Sequence, residues 1–81
     1  MKNRVGVVGI VVDDRENIHT VNSILSQHAD IIVGRMGIPH KERDIAVISL
    51  IVDGSTDRIG ALTGQLGKVA GIRVRSALSR Q

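Results

Sequence analysis

Two stretches, Arg4–Val12 and Ile45–Val52, constrain the fold more than anything else in the chain, because each is a β-branched run that is apolar on both faces. In the first, Val5, Val7 and Val11 alternate with Val8, Ile10 and Val12. In the second, Ile45, Val47 and Ile51 alternate with Ala46, Ile48, Leu50 and Val52. A strand with aliphatic side chains on both sides is shielded from water on both sides, so these two belong in the interior of a sheet.

The segments between them read as helices and edge strands. Asp13-Asp14-Arg15-Glu16 breaks the first run; an Asp followed three residues later by Glu can cap a helix reciprocally, and acidic groups suit its positive end. Ile18, Val21, Ile24 and Leu25 then recur at helical spacing, which predicts a helix over 14–28. A second strand is predicted from Ala29 or Asp30 to Ile38, followed by a polar turn, Pro39 to Asp44. After the third strand, Ser55 or Thr56 is the expected N-cap of a second helix, whose buried stripe is Ile59, Leu62, Leu66 and Val69 and whose end falls between Gly67 and Gly71. The last strand, Ile72–Leu78, alternates Ile72, Val74, Ser76 and Leu78 with Arg73, Arg75 and Ala77.

Strand, helix, strand, strand, helix, strand is the ferredoxin-like βαββαβ sandwich: an α+β fold with an antiparallel four-stranded sheet and two helices on one face. Right-handed crossovers put the first and third strands at the centre and the second and fourth at the edges. The doubly apolar strands are the first and third, and the strand with an arginine face is the fourth, as that order requires. The far face of the sheet then has no cover from its own chain although its central strands are aliphatic there, and an exposed aliphatic face of that size marks an interface. A homo-oligomer is expected, a dimer or a tetramer.

Residues 1–81 form a single domain in this reading, and a chain of that length buries only about 60% of the surface its unfolded form exposes, so association helps it. With no cysteine, disulfides, thiolate metal sites and thiol nucleophiles are excluded. Met1 to Arg4 lead straight into the first strand without a cleavage signal and no run approaches the length of a membrane span. A cytoplasmic protein with no membrane partner is expected. The net charge of +3 permits phosphate contact, but acidic and basic residues are interspersed and there is no Phe, Tyr or Trp on which to stack bases. Direct nucleic-acid binding is therefore not expected. Nor does spacing suggest a catalytic triad, paired carboxylates in a cleft or a cofactor fingerprint, so the chain is read as a non-enzyme without a cofactor.

Gly34-Arg35-Met36-Gly37-Ile38-Pro39 is the foremost candidate site. Glycines flanking an Arg-Met pair suggest backbone that passes close to something else: a bulged edge with Pro39 blocking further pairing, a small ligand at a subunit seam with Arg35 pairing an anion and Met36 filling an apolar gap, or both. Asp13 and Asp14 sit at a strand-to-helix junction, where capping explains them, though they could also grip a cation or an amino group. His19, His28 and His40 are not spaced as a close metal pair; a metal site between subunits is the alternative to solvated or capping histidines. Gly60, Gly64 and Gly67 weaken the second helix by roughly 1 kcal/mol each relative to Ala, which predicts close packing of that helix. Asp53-Gly54-Ser55-Thr56 is a weak anion-nest candidate, and Arg4, Arg73, Arg75 and Arg80 are expected to cluster along neighbouring strands.

Val5-Gly6-Val7-Val8-Gly9-Ile10-Val11-Val12, Asp30 to Pro39, Val47-Ile48-Ser49-Leu50-Ile51-Val52-Asp53-Gly54 and Ile59-Gly60-Ala61-Leu62-Thr63-Gly64-Gln65-Leu66-Gly67 together resemble the small iron-only hydrogenase system regulators, a group of ACT-like domains. Gly34 to Pro39 is the most specific of these runs. The resemblance implies an ACT-like regulatory domain, similar also to the C-terminal domain of nickel-responsive repressors, with a role in iron-only hydrogenase assembly or expression. Those repressors add a ribbon-helix-helix module and use a cysteine beside histidines for nickel. The 81 residues hold neither, so direct repression and nickel sensing of that kind are not expected. ACT domains bind amino acids between subunits near the first strand-to-helix turn, which brings Asp13 to Asn17 into play. The leading expectation is a regulator that senses a small molecule, such as an amino acid, or a protein partner at the seam. A basic nucleic-acid-associated transcriptional regulator and a structural assembly factor are the alternatives.

Overall fold

The computed structural model describes residues 3–81; Met1 and Lys2, the start of the N-terminal lead into the first strand, lie outside the described residues. The elements are β1 (Arg4–Val12), α1 (Ile18–Gln27), β2 (Ile32–His40), β3 (Ile45–Gly54), α2 (Thr56–Gly67) and β4 (Ile72–Leu78), with 3-10 turns at Arg15–Asn17 and Ala29–Ile31. The sheet order is β2-β3-β1-β4, all neighbours antiparallel. The doubly apolar strands β1 and β3 are central, as expected.

Register assigns every side chain to a face. Val8, Ile10 and Val12 of β1 stand beside Leu50, Ile48 and Ala46 of β3, and beside Ser76, Val74 and Ile72 of β4. This face is closed by Val21 and Leu25 of α1 and by Ile59, Leu62 and Leu66 of α2, all buried. The complementary set, Val7, Gly9 and Val11 beside Ile51, Ser49 and Val47, looks away from the helices.

Several boundaries differ from the sequence reading. The first helix is not one rod over 14–28 but a 3-10 turn leading into α1. Its cap is Asp14, whose extended backbone lets the carboxylate accept from the Glu16 N–H at 3.0 Å, so the reciprocal Asp13–Glu16 box does not form. Asn17 instead reaches across and donates its side-chain amide to the Ala70 carbonyl. The second strand starts at Ile32 because Ala29–Ile31 complete a 3-10 turn that buries Ile31. It also runs past the expected turn: Pro39 pairs with Ala46 and His40 with Ile45, which an edge position allows since the missing proline N–H can face solvent. The third strand continues to Gly54, where a side chain would meet Ile31 Cγ2 at 2.9 Å, so packing explains this glycine. Ser55 caps α2, its hydroxyl accepting from the Arg58 N–H at 3.2 Å.

The expectation that Gly60, Gly64 and Gly67 serve close packing is overturned: a side chain at any of them would have nothing within 4 Å. Gly60 and Gly64 lie on the exposed surface of α2 and Gly67 borders an open hollow beside β4, while the buried residues of the helix are Ile59, Leu62 and Leu66. Arg4, Arg73, Arg75 and Arg80 do not form a cluster either. Arg4 lies at one end of β1 and donates to the Ser79 carbonyl at 2.9 Å, whereas Arg73 lies opposite Val11 at the other end.

Candidate functional site

The parity of β2 divides the Gly34–Pro39 run between two surfaces. A bulge between Ile32 and Gly34 shifts the register, and a one-residue shift turns the following side chains over. Gly34, Met36 and Ile38 then pair with Ile51, Ser49 and Val47 and belong to the uncovered sheet face. Arg35, Gly37 and Pro39 pair with Leu50, Ile48 and Ala46 and belong to the helix face. The run predicted as one seam is thus divided between the two faces of the sheet.

The uncovered face is aliphatic in the middle and charged at its margins. Met36 is 67% and Ile38 60% exposed, and Val5, Val7, Val47 and Ile51 are each more than 40% exposed. Gly9 and Ser49 stand side by side across the centre and leave a shallow notch between the Val7–Ile51 and Val11–Val47 rows. Arg73 and Arg75 on β4 border it on one side, and Asp53, opposite Val5, at one end. A side chain at Gly34 would touch nothing within 4 Å, so this glycine answers no need within its own chain.

On the other surface, α1 does not fully cover β2, and a groove runs between them. Arg35 crosses it, its Nη2 donating to Asn22 Oδ1 of α1 at 3.2 Å. Toward the α1 N-terminus lies a hollow of about 190 Å3 with Arg15, Arg35 and Asn22 at its mouth and Ile18, Ala46 and Ile48 beneath, flanked by Gly37 and Pro39. Toward the C-terminal end of α1, Leu25, Ala29 and Ile32 line a second hollow of about 310 Å3. Arg15 Nη1 stands 3.9 Å from Asp44 Oδ1, a loose and exposed contact. Among the described residues no carboxylate pairs with Arg35.

Asp13 and Asp14 lie elsewhere. The Asp13 N–H donates to the Gly71 carbonyl at 2.7 Å and its carboxylate pairs with Arg73 Nε at 3.1 Å. Asp13 therefore ties β1 to the α2–β4 turn, on the side of the sheet away from β2, while Asp14 bonds locally to Glu16 and Asn17. Gly71 is required in that turn: its φ is +74° and a side chain would press on Asp14 Cβ at 3.0 Å. Of the histidines, His28 meets Gln65 of α2 through Nε2 at 3.2 Å, and His19 and His40 are exposed. No group of three or more metal-ligating side chains occurs among the described residues. Asp30 and Arg58 form an exposed ion pair whose hydrogen bond lowers the Asp30 pKa and raises that of Arg58. Nor is any helix of the described residues long and apolar enough to cross a membrane.

Sequence reasoning reached Arg15 only within the Asp13–Asn17 stretch that the family resemblance brought into play, and it missed Asn22. Asn22 is the one available signal, an amide in the middle of a helix where Asn is a poor former, but only the β2 register shows that Arg35 turns toward it.

The TM1266-like family, described as iron-only hydrogenase system regulators, matches residues 4–76. No curated protein matches the chain. Among solved structures, protein TM1266 from Thermotoga maritima is 36% identical, with 98% of this chain and 100% of that chain covered and a TM-score of 0.91. A formyltetrahydrofolate deformylase from Pseudomonas syringae pv. tomato shares the fold at 15% identity over 96% of this chain and 28% of its own, with a TM-score of 0.66. CPII, a nitrogen regulatory PII-like protein from Thiomonas intermedia K12 bound to ADP, AMP and bicarbonate, shares it at 11% identity over 98% and 99%, with a TM-score of 0.56. With nearly the whole length matched in sequence and in fold, the chain belongs to the TM1266-like family, the iron-only hydrogenase system regulators, as an ACT-like domain of ferredoxin-like fold.

Proposed function

We propose that the protein is an oligomeric sensor in the regulation of the iron-only hydrogenase system, assembled through its uncovered sheet face and responsive to a small molecule. The observation that carries this reading is that face: six large aliphatic side chains, Val5, Val7, Met36, Ile38, Val47 and Ile51, are exposed together on it. Completing their burial contributes roughly 1 kcal/mol each. Two copies then gain on the order of 10 kcal/mol, comparable with the about 4–15 kcal/mol that association costs. A second copy of this chain is the occupant that the charges favour. A margin carrying Arg75 and Asp53, neither engaged in an ion pair among the described residues, can pair with itself after a two-fold rotation, whereas a margin of one sign repels its own copy.

Met36 stands beside the Gly9–Ser49 notch in register, so a flexible thioether on one copy has a hollow to enter on the other. Small-molecule sensing fits the open space at Gly34 and the hollow that Gly37 borders. Size-exclusion chromatography over a dilution series tests the assembly: retention should move toward the 8.7 kDa monomer only at the lowest concentrations. A thermal-shift screen of small carboxylates, amino acids, nucleotides and divalent cations tests the sensing; a melting temperature that no compound raises would remove it.

A further inference from the structure

We propose that the hollow between the N-terminal end of α1 and β2 binds a small aliphatic monocarboxylate without an ammonium group, held within one chain by Arg15 and Arg35. The inference rests on the sensing role and names its ligand class.

The chemistry of the hollow sets that class. Arg15 and Arg35 both line the hollow, and guanidinium is the side chain that matches a carboxylate in a planar, two-point contact. Neither has a close carboxylate: Asp44 stands 3.9 Å from Arg15 and is 81% exposed, and no acid pairs with Arg35 among the described residues. Behind the mouth, Ile18, Ala46 and Ile48 form an aliphatic floor suited to a branched hydrocarbon. An amino acid would also need an acceptor for its ammonium. The residues lining the hollow include no carboxylate, and Asp44 lies outside that lining, on the Arg15 side.

Size narrows the class again. At about 190 Å3 the hollow falls below the roughly 300–1,000 Å3 of pockets for drug-sized ligands, so a ligand of a few heavy atoms fits it better than a nucleotide.

Gly37 supplies an independent argument. Glycine weakens a strand, yet this one has neither a positive φ nor a crowded neighbour, since a side chain there would meet Ile48 Cγ1 at an ordinary 3.7 Å. What the missing side chain does provide is volume, because Gly37 borders the hollow.

The test is calorimetric titration and thermal shift at matched ionic strength with 3-methylbutanoate, its amino counterpart valine, inorganic phosphate and AMP. The wild-type protein should bind 3-methylbutanoate saturably, at least tenfold more tightly than valine or phosphate, and should not respond to AMP. Arg35→Gln should weaken that binding at least tenfold. Gly37→Val should abolish it while circular dichroism stays at wild type and the melting temperature does not fall. Equal affinity for valine, unchanged binding in both variants, or no saturable response to 3-methylbutanoate would overturn the proposal. A response to nucleotides or divalent cations with none to carboxylates would overturn this assignment and leave the sensing role standing, whereas silence toward every compound would remove both.

Discussion

Gly37 stands opposite Ile48 in the β2–β3 register, and a Cβ placed on it would lie 3.7 Å from Ile48 Cγ1. That is ordinary van der Waals contact, so the most identifying run of the chain contains a glycine that its own chain could replace. Gly37→Val should accordingly leave thermal stability unchanged or raise it, because a β-branched residue suits a strand by up to about 1 kcal/mol. A fall in melting temperature by more than a few degrees would mean that Gly37 has a structural role the register does not reveal.

Gly54 and Gly71 should behave in the opposite way. A side chain at Gly54 meets Ile31 Cγ2 at 2.9 Å and Cβ at 3.2 Å, and one at Gly71 is strained by a φ of +74°. Gly54→Ala should cost about 1–3 kcal/mol by overpacking, and Gly71→Ala about 1–2 kcal/mol by backbone strain alone. Urea denaturation of both variants beside Gly37→Val checks the ordering; comparable stability of all three would contradict it.

Much of this was legible in the sequence, because β1 and β3 carry aliphatic residues on both faces, interrupted only by Gly6, Gly9 and Ser49 along their middle stretches, and that pattern points to the sheet order. The uncovered face followed from the same residues. A bulged edge was anticipated, but its place at Ile32–Gly34 and its consequence, the division of Arg35 and Gly37 from Met36 and Ile38, depend on a one-residue register that hydrophobic pattern does not set. Gly60, Gly64 and Gly67 misled for a related reason: helical spacing shows that they share a surface, but not whether anything packs on it. Asp13 was read with Glu16 as a local cap, whereas its partners are Gly71 and Arg73, more than fifty residues away.

The outer surface of α2 offers a direct check on that correction. With nothing within 4 Å of a side chain at Gly60 or Gly64, Gly60→Ala and Gly64→Ala should each stabilise by roughly 0.5–1 kcal/mol, through helix propensity and a less flexible unfolded chain. In a domain this small, that corresponds to an increase of several degrees in melting temperature. A decrease in either variant would mean that the surface packs against another copy of the chain.

The Asp30–Arg58 pair should leave a small acid dependence. Arg58 lowers the Asp30 pKa in the folded protein, so the pair's contribution is present above the unfolded carboxylate pKa and is lost as pH falls through the folded value. Both groups are exposed, which keeps the effect small and sensitive to salt. Melting curves from pH 7 to pH 2 should therefore converge for wild type and Asp30→Asn at the acid end, with any gap at neutral pH closing in 1 M salt. A gap that widens toward acid would contradict this sign.

The central claim, that the uncovered sheet face joins copies of this chain, is tested most directly by light-scattering mass of the wild type beside a Val7→Glu, Ile51→Glu double variant. These residues are neighbours in the β1–β3 register and face away from the helix-side core, so the charges should leave the fold intact by circular dichroism. The wild type should have a mass at least twice 8.7 kDa and the variant the monomer mass. A strictly monomeric wild type, or a folded variant that keeps the wild-type mass, would contradict the account.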